Sequence, residues 1–241
     1  MIAILVVSLV LLSTQLYIYE VSISLDGDKA IHVTDFVLAV RLGFKNVVTG
    51  SLVNISTGGD SSILGANLEG WASFVGRLYQ FGKPVINFTL RNATSYTNGT
   101  QISWGTNGFG VSGVYVDFNF SLADGQVNVQ LPHTLNVTTS LVVEGVYQTP
   151  AGNTKWINVT CYMFNEGNPA LAQNMTIFYE SSSSWLRADE QSNYSFVDYG
   201  DGTYRISFEA EVLEESINVS AQAYDLRGIY VQANTTCTNI S

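Results

Sequence analysis

The chain has 241 residues, 46% hydrophobic and 12% charged, which supplies a core for one large domain or two ordinary ones and argues against intrinsic disorder. Ten basic residues stand against twenty acidic ones, a formal charge of −10. That field repels phosphate backbones and anionic lipid surfaces, so nucleic acid is not an expected partner, and any membrane contact falls to an apolar segment.

Such a segment opens the chain. Met1 to Tyr19 carries no charged side chain before Glu20, and nineteen helical residues rise about 28 Å, close to the hydrocarbon thickness of a bilayer. Tyr17 and Tyr19 fall where an interfacial aromatic belt sits, and Asp26-Gly27 ends the predicted helix. Residues 1–25 are therefore expected to be an anchor or signal helix, with residues 1–20 contacting a membrane or a filament core. Three readings stay open: a retained anchor or filament-core helix, a secretory signal cleaved near Ser22-Ile23-Ser24, and a buried helix of a soluble protein.

Residues 26–147 are expected to form a helical hairpin followed by an antiparallel β-module. Apolar residues recur at helical spacing at Val37, Val40, Phe44, Val47 and Val48, with Thr34 as candidate N-cap. Gly58-Gly59 breaks this pattern. Asp60 then caps a second helical stretch with Leu64, Leu68, Trp71, Val75 and Leu78 on one face. From Lys83 the period changes to two, as in 85–90, 114–122, 126–131 and 135–143.

A second strand-rich block occupies 148–241, with candidate strands at 156–164, 174–180, 203–212, 217–226 and 229–237 and a boundary expected near Gln148 to Gly152. Its turns carry Asn165-Glu166-Gly167 and Asp201-Gly202, chemistry suited to hairpins. The fold class is thus mainly β, α+β overall, with a β-sandwich at the C-terminal end. The two cysteines, Cys161 and Cys237, are too far apart for a redox pair. A disulfide is expected in an exported chain, stabilising by about 4 kcal/mol in the chain-entropy model; two buried free thiols are the alternative.

The strongest signal is the sequon Asn-x-Ser/Thr. It occurs at Asn54, Asn87, Asn92, Asn98, Asn119, Asn136, Asn158, Asn174, Asn193, Asn218, Asn234 and Asn239, twelve of nineteen asparagines. Composition alone gives about three or four, and single sequons are often accidental. In a strand, the Asn and the hydroxyl residue two positions later share one face. In Ile86–Leu90, Phe118–Leu122, Ile157–Cys161 and Ile217–Ala221 that register turns the sequons outward and the apolar residues inward. Glycosylation of these asparagines is expected; good solvent-face residues without sugar are the alternative.

Signatures of catalysis are not found. His32 and His133 are the only histidines, no Cys/His cluster has metal-ligand spacing, and no P-loop, GxSxG elbow or HExxH helix occurs. No catalytic residue, metal or cofactor is expected, and the chain is read as not an enzyme. The run Trp104 to Gly110 lacks the lysine and helix of a phosphate cradle and reads as a hairpin tip. Asp198, Asp201, Glu209 and Glu211 are candidate Ca²⁺ ligands, with hairpin-turn and surface carboxylates the preferred reading. Trp71, Trp104, Trp156 and Trp185 are a candidate sugar-stacking set, with burial in two cores preferred.

The apolar stretch IAILVVSLVLLSTQLYIYE (2–20), followed by NFTL, NFSL, NVTT and NVTC strands, resembles archaeal type IV pilin-like surface proteins. That resemblance implies an apolar helix packed in a membrane and then in a filament core, beneath a sequon-rich β head. The block from about Val146, with Asp201-Gly202-Thr203-Tyr204 before an alternating strand, resembles immunoglobulin-like modules of cell-surface proteins and implies an Ig-like sandwich. The expected function is a surface structural or adhesive glycoprotein, with self-assembly or other surface proteins as partners. The alternative is a secreted carbohydrate-binding module or surface receptor.

Overall fold

The computed structural model describes residues 29–78, 83–124 and 127–240. The N-terminal apolar segment and its Asp26-Gly27 stop lie outside the described residues, as do the side chains of His32 and Leu78. The fold is mainly β, 58% strand, with two α-helices among the described residues. The chain divides into two compact units: residues 1–100 with 114–136, and residues 101–113 with 137–241.

In the first unit, helix α1 (Lys29–Ser56) and helix α2 (Ile63–Leu78) accompany strand β1 (Lys83–Leu90), the part of β3 (Phe109–Asp124) from 114 on and the part of β4 (Val127–Ala151) up to 136. β2 (Thr100–Trp104) pairs with β3. The helix already runs at Lys29, so Thr34 is an interior residue and not the expected N-cap. Phe36, Val40, Phe44, Val48, Leu52 and Ile55 form its buried stripe, while Leu38 and Leu42 face outward. The stretch Thr34–Ser56 is long and apolar enough to cross a membrane, with 39% of its most apolar window buried within the fold. Its stripe is nonetheless used for packing: Phe44 stacks on Phe118 at 4.5 Å and meets Trp71 at 5.8 Å, and Phe36 meets Phe120 at 6.0 Å. Asp60 sits in the turn before α2, and its carboxylate accepts the Ser62 N–H at 2.7 Å, short of the first helical residue, Ile63, so this side-chain bond closes the turn and does not reach the helix itself. Leu64, Leu68, Trp71 and Val75 are buried. β1 runs antiparallel to β3, with Asn87 opposite Asn119 and Phe88 opposite Phe118.

In the second unit two antiparallel sheets enclose one apolar core. One sheet has β4, β5 (Thr154–Asn165), β10 (Thr203–Glu211) and β9 (Ser192–Asp198) in that order, with β6 (Asn168–Pro169) on β5. The other has β12 (Tyr230–Thr236), β11 (Asn218–Asp225), β7 (Ala172–Ser181) and β8 (Ser184–Arg187). A 3-10 turn, Ala188–Glu190, links β8 to β9, and β13 (Thr238–Asn239) pairs in parallel with β4. The expected boundary at Gln148–Gly152 is instead the β4–β5 hairpin turn, with Ala151 opposite Thr154 and Gly152 at φ 59°. β4 continues without a break through 136–137, where the units divide, so a composition shift at the turn does not mark a structural one.

The Gly-rich run bonds to both β4, which lies between β3 and β5, and β12, the edge strand of the second sheet. The Gly108 N–H donates to the Asn234 carbonyl at 2.8 Å, and the Gly108 carbonyl accepts from the Val143 N–H at 2.7 Å. The Asn234 N–H donates to the Gly105 carbonyl at 3.0 Å. Glycine is required here: a Cβ on Gly110 would stand 1.9 Å from the Gln232 carbonyl oxygen, and Gly108 has φ 79°. Trp104 Nε1–H donates to Ser112 Oγ, which donates to the Tyr230 carbonyl at 2.6 Å. An edge strand with open N–H and C=O groups invites mispairing, and this tip satisfies such groups on β12 while also bonding to β4.

A buried ion pair also ties the two sheets. Asp225, 0% exposed, accepts from Arg227 Nε at 2.6 Å, from Thr139 Oγ1 at 2.8 Å and from the backbone N–H groups of Arg227 and Ile229. Arg227 also reaches Glu166 at 2.7 Å and the Thr138 carbonyl at 3.0 Å. Burial opposes the Arg227 charge, but its bonds to Glu166 and Asp225 hold its pKa above the ordinary arginine value.

Candidate glycan-bearing surface

None of the twelve sequon asparagines is buried. Asn87, Asn92, Asn98, Asn119, Asn136, Asn174, Asn193 and Asn239 are exposed, and Asn54, Asn158, Asn218 and Asn234 are half-buried. The strand register accounts for most of this. On β5, Ile157, Val159 and Cys161 point into the core while Asn158 and Thr160 face out. On β3, Phe118 and Phe120 are buried on either side of exposed Asn119. β11 departs from the expected pattern: Ile217, Val219 and Ala221 are buried as predicted, but Ser220 is buried too, at 3%. It lies on an inner strand between Phe178 and Asn234, and its hydroxyl accepts from Gln232 Nε2 at 3.2 Å.

Several sequons cluster. Asn92 Oδ1 accepts the Asn98 N–H at 2.7 Å, and Asn98 takes the left-handed φ of 49° that asparagine tolerates. Tyr96 Oη donates to Asn136 Oδ1 at 3.1 Å, so the loop after β1 meets the sequon of β4. Beside them Arg91 lies over the Tyr115 ring at 4.9 Å and pairs with Asp117 at 3.0 Å. On the second unit, Asn218 Nδ2 donates to Glu180 at 2.8 Å and Asn193 Nδ2 to Glu209 at 2.6 Å. Asn54 lies in the last turns of α1, with its Oδ1 against Gly59.

The outer face of β4, β5, β9 and β10 holds a groove of about 530 Å³ lined by Gln148, Trp156, Asn158, Asn193, Ser207 and Glu209, with Ile157 and Phe208 at its floor. Trp156 is 51% exposed and Trp185 46% exposed, which overturns their expected burial. The strand parity that sends Ile157 inward sends Trp156 outward. Trp71 is buried and Trp104 partly so.

Cys161 and Cys237 share one core but are free thiols, not the expected disulfide. Cys237 lies where the chain leaves β12 for β13, and its sulfur packs on β4, 2.5 Å from where a Cβ on Gly145 would stand. Its contact is thus with the Gly145 backbone. Burial pushes both thiols up to about 12.

The candidate Ca²⁺ ligands are used separately. Asp198 accepts the Gly200 N–H and Asp201 the Thr203 N–H, each within its own turn, while Glu209 binds Asn193 and Glu211 binds Thr154. Among the described residues no group of three His, Cys, Asp or Glu side chains is placed to hold a metal ion. His133 is half-buried, its pKa lowered by burial and by the Arg41 charge. A search of protein-family models and of curated proteins finds no match to this chain.

Proposed function

We propose that this chain is an exported, N-glycosylated cell-surface protein with a structural or adhesive role, a pilin-like subunit or a membrane-anchored ectodomain. The observation that carries the reading is that none of the twelve sequon asparagines is buried, eight of them being exposed, in a chain where chance gives about three or four sequons. A coat of sugars on these faces raises solubility and shields strands from pairing with other chains. The apolar N-terminal segment supplies the anchor or the filament core, and the β-sandwich, Ig-like in its strand-rich design, supplies the contact surface. Mass spectrometry of the native protein tests this directly: the expected result is sugar on most sequons and a retained or cleaved apolar segment, with filaments visible by electron microscopy for the pilin-like form. Bare asparagines throughout would sink it. The rival reading, a secreted carbohydrate-binding module, draws on the exposure of Trp156 and Trp185, and binding to a glycan array that depends on either residue would promote it.

A further inference from the structure

We propose that the groove around Trp156 is the seat of the first sugar rings attached to Asn158, an inference that rests on the glycosylation reading above. Trp156 and Asn158 are two residues apart on one strand, so both side chains leave the same face of the sheet, about 7 Å apart. Of the two exposed tryptophans, Trp156 alone has a sequon asparagine at that spacing on its own strand.

The surroundings match a pyranose ring, which has an apolar C–H face and a rim of hydroxyls. The indole offers the flat apolar surface. Gln148 and Glu209 flank it as its register partners on β4 and β10, and Ser207 stands opposite Asn158. These are hydrogen-bonding groups at the edge of an aromatic plate. The groove's volume lies within the about 300–1,000 Å³ usual for small-ligand sites. Asn193 also borders the groove, but its amide is held by Glu209 at 2.6 Å. Among the described residues nothing hydrogen-bonds the Asn158 carboxamide, which leaves it open to substitution. A ring tethered at Asn158 covers the indole without the entropic cost of capturing a free ligand.

The test uses the full-length chain produced in a glycosylating host, with hydroxyl-radical footprinting read by peptide mass spectrometry. Trp156 is expected to oxidise several-fold more slowly in the parent than in Asn158→Gln, while Trp185 is unchanged. Thr160→Ala, which removes the sequon and leaves Asn158 in place, is expected to match Asn158→Gln and controls for misfolding. Asn193→Gln is expected to keep the protection; its loss there would assign the sugar to Asn193 and overturn the proposal. Equal oxidation with Asn158 demonstrably occupied overturns the proposal and leaves the glycosylation reading standing. A bare Asn158 in the same mass spectrum removes both at this position. Added chitobiose is expected to give no protection to Asn158→Gln at millimolar concentration; full protection would mark a site for free saccharide instead.

Discussion

Asn87 on β1 and Asn119 on β3 stand directly opposite one another in register, both exposed and both sequons. Side chains so paired have Cβ atoms about 4.5–5.5 Å apart, and on the glycosylation proposed above two sugars leaving that close would crowd one another at the root. Site-resolved glycopeptide analysis is therefore expected to show Asn119 occupancy rising in Asn87→Gln, and the reverse in Asn119→Gln. Unchanged occupancy in both variants would show that the two sugars do not compete.

Gly110 tolerates no side chain, because a Cβ meets the Gln232 backbone oxygen at 1.9 Å. Gly110→Ala is expected to lose about 1–3 kcal/mol, the usual cost of overpacking, read as a lower urea midpoint. Gly50→Ala, with open space around the added carbon, is the control and is expected to be neutral or mildly stabilising.

Removing Arg227 strands a fully buried carboxylate. Arg227→Met is expected to cost about 3–5 kcal/mol, and the double variant Arg227→Met, Asp225→Asn to recover part of that loss, since the two effects are not additive. A double variant no more stable than the single one would show that Asp225 carries no charge worth neutralising.

The thiols and Tyr230 contribute to the loss of stability at alkaline pH. Burial pushes Cys161, Cys237 and Tyr230 up to about 12, from ordinary values of 9.0 for the thiols and 10.0 for the phenol. All three pKa values are raised in the folded state, so the unfolded chain loses these protons first. Their contribution is whole below pH 9.0 and declines as pH rises toward about 12. The thermal midpoint is expected to fall across that window, less steeply in Tyr230→Phe. Thiol titration is expected to find none reactive in the native protein and two after unfolding; none after unfolding would demonstrate a bridge.

Much of this surface was legible because strand parity is a strong constraint. The alternation around Asn119 and Asn158 follows from side-chain period alone, and the apolar neighbours fixed which face turned inward. Parity also placed Trp156 outward, against its size and apolarity, and parity won. Where reasoning from the sequence failed, the cause lay beyond the local segment. Ser220 is shut away by neighbours on two other strands, and the helix that holds Thr34 already runs at Lys29, a start that the apolar spacing from Thr34 onward does not reveal. The Asp225–Arg227 pair and the Gly108 contacts to Val143 and Asn234 join residues far apart in sequence, which no periodicity reveals.

The segment that seals β4 to β12 comes from residues 101–113, upstream of everything else in the sandwich. A recombinant fragment begun at Val137 would thus lack its own seam, and its two rims would be left raw and adhesive. Conversely, a nick in the 114–136 stretch need not release the upstream piece, which stays stitched in by main-chain bonds. Such interleaving lets a severed chain hold its shape.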